Sequence, residues 1–285
     1  RKLAGEFEMS RFNFLELKFV IGAICLCATL ILAVFGSYIT PHSPNQQDLL
    51  YALERPFQAQ FLFGTDHLGR DVFARMVSGA RVSLAIAVAV VMISGVFGVI
   101  VGAVSGYLGG WRDIGIQKLV ETFWAFPPIL LAIAILALFG QSLMNVILAL
   151  AIQRWIPYCR IARAQALVLR SKEFVAASQL MGGGLSWVMR RHILPNLYAS
   201  AIVVATFTMA TAILAEASLS FLGLGVPPHL ATWGGMLAEG RTYITRAWWL
   251  AVFPGLGIFV TVLGLNLLGD WLRDQYDPKK NLNLA

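Results

Sequence analysis

The sequence predicts an all-helical protein that crosses a membrane several times. Its 285 residues are 58% hydrophobic and only 13% charged, whereas soluble domains carry about 25% charged residues. Three stretches, 82–111, 122–153 and 247–269, contain no Asp, Glu, Lys or Arg. Each is longer than the roughly 20 apolar residues that a spanning helix needs. A large soluble protein with buried helices fits such runs poorly, so we expect lipid around much of this surface.

We predict six transmembrane spans and a simple division of the chain around them. The spans are residues 19–39, 83–107, 117–139, 143–165, 198–220 and 246–269. Lys2-Leu3 and Glu6-Phe7 can each be encoded by a common cloning site, so we interpret residues 1–8, ahead of Met9, as an expression scar. Residues 9–81 then hold the first span and a polar external segment, 82–272 the main transmembrane domain, and 273–285 a cytoplasmic tail.

The basic residues predict the orientation of these spans. With six spans both termini lie on one side, and the cytoplasmic choice puts the 154–191 cluster inside together with Lys2 and Lys280. The basic residues left outside are Arg55, Arg70, Arg75, Arg81, Arg241 and Arg246. Cytoplasmic loops are enriched in Lys and Arg, so this orientation is favoured. The net charge of +7 therefore reflects topology, and we expect no nucleic-acid partner.

Glycines and prolines within the spans indicate how the helices pack and where they bend. In span two, Gly98, Gly102 and Gly106 are four residues apart, a spacing that makes a groove in which another helix can approach closely. Pro127-Pro128 and Pro157 fall inside spans three and four. Proline removes a backbone donor, so we expect bends there that neighbouring groups must satisfy.

The long connection between spans four and five contains a short amphipathic helix at residues 173–182. Phe174, Ala177 or Ser178, and Met181 fall on one face at a spacing of three to four residues. Glu173 lies in the first turn, where an acid is favoured, and Gly182 suits a left-handed cap. From periodicity alone, this helix either binds a partner or lies on lipid headgroups.

The same segment resembles a known family signature. Glu173-Phe-Val-Ala-Ala-Ser-Gln-Leu-Met-Gly182, followed by His192-Ile-Leu-Pro195, resembles the cytoplasmic loop of binding-protein-dependent ABC importer permeases. In that family an EAA triplet and a later glycine define the coupling helix. Here the triplet falls on Ala176-Ala177-Ser178 and the glycine on Gly182, so the acidic residue and second alanine of the pattern are replaced.

Further segments narrow the resemblance to the C-type permeases of the peptide/nickel group. The resembling segments are Gly64–Val72, Ser78–Leu84, Ala125–Pro127, Glu216–Gly225, Trp233–Leu237, Gly269–Asp274 and Asp277-Pro278. They occur in the family's order and cover nearly the whole chain after Met9. The resemblance implies a permease domain over 82–272 and a bacterial cytoplasmic (inner) membrane location.

The resemblance also implies partners and a role. The sequence has no Gly-x-x-x-x-Gly-Lys-Ser/Thr loop that would cradle nucleotide phosphates. We therefore expect no enzyme activity and no cofactor in this chain; ATP and magnesium would be bound by two ATPase subunits. A second, B-type permease and an external solute-binding protein complete the implied complex. Di- or oligopeptides are the expected cargo, with nickel chelates or glutathione as alternatives.

The resemblance and the residue types together indicate candidate residues for ATPase coupling, for the transport pathway and for contact with the binding protein. The ATPase-coupling set is Glu173, Phe174, Ala176, Ala177, Ser178, Met181 and Gly182. Glu216, near the outer end of span five, either lines a pathway or gate, pairs structurally, or is exposed at the interface. Asp66, Arg70 and Asp71 are candidate contacts for the binding protein, although Asp66 is better explained as a helix cap and the others can pair locally.

Two other function classes compete with this interpretation. A secondary transporter should show inverted repeats and intramembrane charges at broken helices, and neither is evident. A membrane-embedded enzyme needs convergent catalytic residues within its spans, and we find no such motif. The four histidines are scattered without metal-ligand spacing, so we predict no metal or catalytic residue.

Overall fold

The computed structural model describes residues 2–58 and 60–276, with side-chain surroundings from residue 15 onward. Residues 277–285, which include Lys280 of the predicted tail, lie outside the described residues, as do Arg1 and the other side chains of the predicted scar. Ten α-helices follow in order: α1 Lys2–Ile39, α2 Val72–Leu108, α3 Gly110–Trp124, α4 Pro128–Phe139, α5 Leu143–Arg170, α6 Glu173–Leu180, α7 Leu185–Val188, α8 Leu194–Phe221, α9 Trp233–Arg241 and α10 Trp249–Gln275. A 3-10 turn lies at Leu49–Tyr51, and a π-helical turn, Met189–Ile193, joins α7 to α8.

Several of these helices are long and apolar enough to cross a bilayer. Four qualify within the described chain, namely residues 15–39, α2, the continuous run from α7 to α8, and α10; counting the bent α3–α4 pair as one makes five. The fourth predicted span, α5, is 28 residues long and carries Arg154, Arg160 and Arg163 in its interior. These charges lower its hydropathy, so length and composition alone do not identify α5 as a span.

The third predicted span is not one continuous helix. The chain breaks between α3 and α4 with a bend of 82°. Pro127 cannot donate a backbone hydrogen bond, and the residue before a proline is disfavoured in helical geometry. The break frees the carbonyls of Phe123 and Phe126, and the Gln153 side chain donates to both at 2.8 Å. An amide from α5 thus satisfies the backbone that the prolines open.

The second predicted span also differs, because its helix is longer. We expected residues 83–107, whereas α2 begins at Val72. The Asp71 side chain accepts hydrogen bonds from the backbone of Phe73 at 2.8 Å and Ala74 at 3.4 Å. We expected Asp66 to be a helix cap, but the cap of α2 is made by Asp71. The helix therefore begins directly after the external segment.

The centre of the fold is the packing of α2 against α5. The predicted glycines lie on this interface, where added Cβ atoms would collide with backbone or Cβ atoms of α5: Gly98 opposite Trp155 and Tyr158, Gly102 opposite Cys159, and Gly106 opposite Arg163 and Ala166. Small residues at four-residue spacing let two helix backbones approach closely. The larger core cluster continues through α8, α9 and α10.

Contacts between loops define two ends of the bundle. At one end, Trp249 donates to the carbonyl of Thr65 at 3.1 Å, and Gln141 donates to the carbonyl of Gly223 at 2.8 Å. The connection 171–193 lies at the opposite end, beside the junction of α2 and α3. Each end therefore gathers segments distant in sequence.

Candidate functional site

The short helix α6 forms as the amphipathic pattern predicts, and its last turn is closed by glycine. Gly182 has φ +86°, a left-handed conformation that costs a side-chain-bearing residue free energy. Its amide donates to the carbonyl of Gln179 at 3.0 Å, and the Gly183 amide donates to the carbonyl of Ser178 at 2.9 Å. This pair of bonds is a Schellman motif, which ends the helix and sets the direction of the following chain.

One side of α6 is fixed to the membrane bundle. Val175 is fully buried in a cluster with Ala103 and Tyr107 of α2, Ala162 and Ala166 of α5, Met189 and Ile193 of the π-helical turn, and Leu197 of α8. Gln179 donates to the Tyr107 hydroxyl at 2.5 Å. The helix α6 packs against α5 and α7 and hydrogen-bonds to α2, and α7 continues through the π-helical turn into α8. A displacement of α6 would therefore be transmitted directly to α2 and α5, and through α7 to α8.

The other side of α6 is apolar and open. Phe174, Ala177, Ser178 and Met181 line a groove of about 640 Å³, whose other wall contains Trp187, Arg191 and His192. The rings of Phe174 and His192 have centroids 5.6 Å apart. Leu180 and Met181 are 90% and 88% exposed. We call this surface the α6 groove.

The structure brings the predicted coupling residues to this end of the molecule. Four of them line the groove, Gly182 joins its rim, and Glu173 and Ala176 are exposed on the helix beside it. Sequence reasoning missed the opposite wall and the anchor Val175. The wall residues follow the glycine turn at Gly182–Gly184, so their return to α6 depends on tertiary structure that periodicity does not reveal.

An ion pair joins α2, α3 and α5 at the end of the bundle where α6 lies. Asp113 of α3 accepts two hydrogen bonds from Arg163 of α5, at 2.7 and 2.6 Å, and one from Ser105 of α2 at 2.5 Å. Asp113 is buried and Arg163 is partly exposed. Bidentate arginine–carboxylate pairs have fixed geometry, so this contact holds three helices in register just behind α6.

The candidate binding-protein contacts lie at the opposite end, but they are buried. Asp66, Arg70 and Asp71 are between 3% and 6% exposed. Asp66 accepts from the Arg70 side chain at 2.6 Å, Arg70 reaches Glu239 at 2.7 Å, and His42 lies 3.0 Å from Asp71. These side chains are engaged within the chain in this conformation, so the local pairing that we weighed as the alternative is the observed arrangement.

This end also gathers potential metal ligands. Asp66, His67 and Glu239 each place one such atom within 4.8 Å of the others. However, Arg70 pairs with both carboxylates, and Arg75 lies 3.7 Å from Asp66 and 3.1 Å from Glu239. Two guanidinium charges repel a divalent cation, so we interpret the cluster as an ion-pair network that joins the external segment to α2 and α9.

Glu216 is buried on α8 against α9. It is 2% exposed and accepts a hydrogen bond from Ser220 at 2.8 Å. A Cβ at Gly234 would lie 3.1 Å from its carboxylate, so α9 covers the group closely. This position supports the structural role for Glu216 rather than a place on an open pathway in the observed conformation.

Comparison with known families decides between the function classes. Residues 98–282 match the family described as binding-protein-dependent transport system inner membrane component. The chain belongs to this family. The match covers more than half of the sequence and contains α6 with its groove.

The family's curated members include close relatives along most of the chain. A putative peptide transport system permease protein of Brucella suis is 43% identical over 92% of this chain and 88% of its own length. The di/tripeptide transport system permease protein DppC of Pseudomonas aeruginosa is 41% identical over 90% and 87%. The oligopeptide transport system permease protein OppC of Bacillus subtilis is 39% identical over 91% and 85%. These relatives are permease subunits, so the family role is transport rather than catalysis.

A solved structure supports the fold. An inward-facing structure of the MetNI methionine ABC transporter aligns with a TM-score of 0.56 and 18% identity, over 70% of this chain and 95% of the other. At this identity the likeness concerns the fold alone. Together these findings identify a polytopic helical permease of the binding-protein-dependent family.

Proposed function

We propose that the chain is the C-type permease subunit of an ATP-driven importer that carries di- or oligopeptides across the bacterial cytoplasmic membrane. Relatives at 39–43% identity are named as peptide, di/tripeptide and oligopeptide permeases, and they match along their length. This agreement among relatives supports peptide cargo over nickel chelates and glutathione.

The observation that carries the coupling role is the α6 groove. A helix with one face in the bundle core and an apolar, open face has the form of a docking element. Burying that open face against a partner would recover hydrophobic free energy of about 25 cal/mol per Å² of apolar surface. The partners would be two ATPase subunits, which would bind ATP and Mg²⁺ because this sequence has no phosphate-cradling loop.

We propose six spans, with α5 and the bent α3–α4 pair completing the four apolar helices. Two of the arginines in α5 have partners on other helices: Arg163 pairs with Asp113 of α3, and Arg154 donates to the carbonyl of Thr211 in α8. Both termini and α6 would face the cytoplasm. At the opposite end the basic residues are largely engaged: Arg70 and Arg75 pair with Glu239, and Arg81 donates to the Val34 carbonyl. In this orientation most Lys and Arg residues of the sequence lie on the side of α6, which the positive-inside rule favours.

The mechanism follows from this arrangement. ATPase closure would push on α6, and the buried Val175 would pass the displacement to α2, α5 and α8. A rigid-body tilt of these helices against a B-type permease would alternate access between an external solute-binding protein and the cytoplasm.

Site-directed cross-linking tests the docking role. In a variant whose native cysteines Cys25, Cys27 and Cys159 are replaced, a cysteine at Ala177 that carries a thiol-reactive, photoactivatable cross-linker should become attached to an ATPase subunit of the assembled complex. A cysteine at Gln47, exposed at the opposite end, is the matched control and should not. Cross-linking of both positions, or of neither, would refute docking at α6.

Import assays test the cargo. The complex reconstituted with its solute-binding protein should import a labelled dipeptide or oligopeptide in an ATP-dependent manner. Import of a nickel chelate or glutathione instead of peptides would identify one of the alternative cargoes, and import without ATPases would identify a secondary transporter.

A further inference from the structure

An arginine in the middle of α5 lies on a groove that the coupling mechanism does not use. Arg154 follows the first residue of α5, Leu143, by 11 positions, which places it about 17 Å along the helix at 1.5 Å per residue. The hydrocarbon core of a bilayer is about 30 Å thick. Arg154 is therefore near the midplane of the proposed membrane.

Two adjoining cavities meet at this arginine. One, of about 340 Å³, lies between α4, α5 and α8, and the other, of about 490 Å³, lies beside the α3–α4 break. Pro128, Gln153 and Arg154 line both. We call the combined space the Arg154 groove. Each cavity has the size of a typical small-ligand site, about 300–1,000 Å³.

Within the described part of the chain, the guanidinium of Arg154 is hydrogen-bonded but its charge is not paired with a carboxylate. Its guanidinium donates to the carbonyl of Thr211 at 2.8 Å and to the hydroxyl of the same residue. Among the described residues, no carboxylate lies within ion-pair distance of Arg154, and the lining of the groove includes no Asp or Glu. A half-buried midplane charge is too costly to face lipid. The groove must therefore face protein or water, and it can accept an anion.

The start of α4 adds a second attraction for negative charge. The helix begins at Pro128, which has no amide hydrogen, and the Leu131 amide already bonds to the carbonyl of Pro127. The amides of Ile129 and Leu130 have no carbonyl one turn earlier in the helix to bond, and Ile129 lines the groove. The amino-terminal end of a helix carries a partial positive charge. The Pro127 break thus directs this end of α4 at the same space that Arg154 enters.

We propose that the Arg154 groove lines the translocation pathway and that Arg154 binds the C-terminal carboxylate of the peptide in transit. This inference rests on the proposed function. Arg154 replaces part of the water that the carboxylate loses, while the apolar lining accepts side chains without specificity. A system that moves varied peptides needs this combination, because the carboxylate is the group that such peptides share.

Charge variants in the assembled importer test this role. Arg154→Gln should reduce peptide import by about tenfold or more, because a hydrogen-bonded charge contributes more than a neutral bond, while complex assembly and stimulated ATP hydrolysis remain. Arg154→Lys should stay within about threefold of the wild type. Arg81→Gln is the matched control: Arg81 likewise donates to a neighbouring helix, through the Val34 carbonyl and Ser37, but it lies away from the groove.

Thiol chemistry provides an independent readout. In the background without native cysteines, a cysteine at Arg154 should react with a cationic methanethiosulfonate reagent from water, and the added ammonium should restore import, whereas a neutral reagent should not. Wild-type import by Arg154→Gln, loss of assembly in that variant, or no labelling at position 154 would overturn the inference and leave the proposed function standing. A wild-type complex that imports no peptide would overturn both.

Discussion

Replacing Gly102 with alanine should separate α2 from α5. An added Cβ would lie 2.8 Å from the Cα of Cys159, and closer still to its carbonyl oxygen. Carbon atoms pack best at about 3.5–4.0 Å, so the two helices would have to part by about 1 Å. The colliding atoms belong to the α5 backbone, which cannot rotate away as a side chain can.

The magnitude follows from two opposing effects. Overpacking a close interface costs about 1–3 kcal/mol, while replacing glycine by alanine inside a helix returns about 1 kcal/mol. We therefore expect Gly102→Ala to destabilise the protein by up to about 2 kcal/mol and Gly102→Leu to prevent assembly. Gly115→Ala in α3 is the matched control, because nothing lies within 4 Å of its added Cβ. It should be neutral or stabilising.

Thermal unfolding of the detergent-solubilised protein measures the difference. We expect a lower unfolding temperature for Gly102→Ala and an equal or higher one for Gly115→Ala. If the two variants unfold at the same temperature, α2 and α5 are not in the close contact described here, and the glycine groove faces lipid or the pathway instead.

Two further predictions concern the topology and the ion pairs at the end opposite α6. Cysteines at Gln47 and Lys172, which are both exposed, should react from the periplasmic and cytoplasmic sides of intact cells respectively; labelling of both from one side would contradict the six-span topology. Glu239→Ala should lower the free energy of unfolding by up to about 3 kcal/mol, because it leaves the buried Arg70 and Arg75 with one carboxylate between them; unchanged denaturation would show that the ion pairs are stabilising only weakly.

The helical membrane fold was predictable because its causes are local. Charge-free runs longer than a bilayer crossing identify spans without any knowledge of tertiary structure. The short helix α6 was equally accessible, since its start at Glu173 and the turn at Gly182 follow from cap chemistry within ten residues.

The errors arose where long-range contacts decide. Asp66 and Arg70 resemble exposed loop charges in the sequence, but Glu239, 169 residues after Arg70, buries them in a network. The break at Pro127 was expected only as a bend, because the amide of Gln153 that stabilises an open break comes from another helix. Such partners cannot be identified from spacing alone.

Two glycines after α6 allow a direct test of whether this helix couples ATP hydrolysis to transport. Valine at Gly182 is strained by the positive φ, whereas Gly184 has φ −71° and open space around its added Cβ. A left-handed conformation costs a side-chain-bearing residue about 1–2 kcal/mol, so Gly182→Val should redirect the chain that leaves α6 and disturb the groove.

The measurement is the number of peptides imported per ATP hydrolysed by the reconstituted complex. We expect Gly182→Val to insert normally but to import far fewer peptides per ATP hydrolysed. Ala177→Asp should have the same effect because it places a charge in the apolar groove, whereas Gly184→Val should keep the wild-type ratio. If Gly182→Val and Ala177→Asp both assemble fully and import at the wild-type ratio, α6 does not couple ATP hydrolysis to transport.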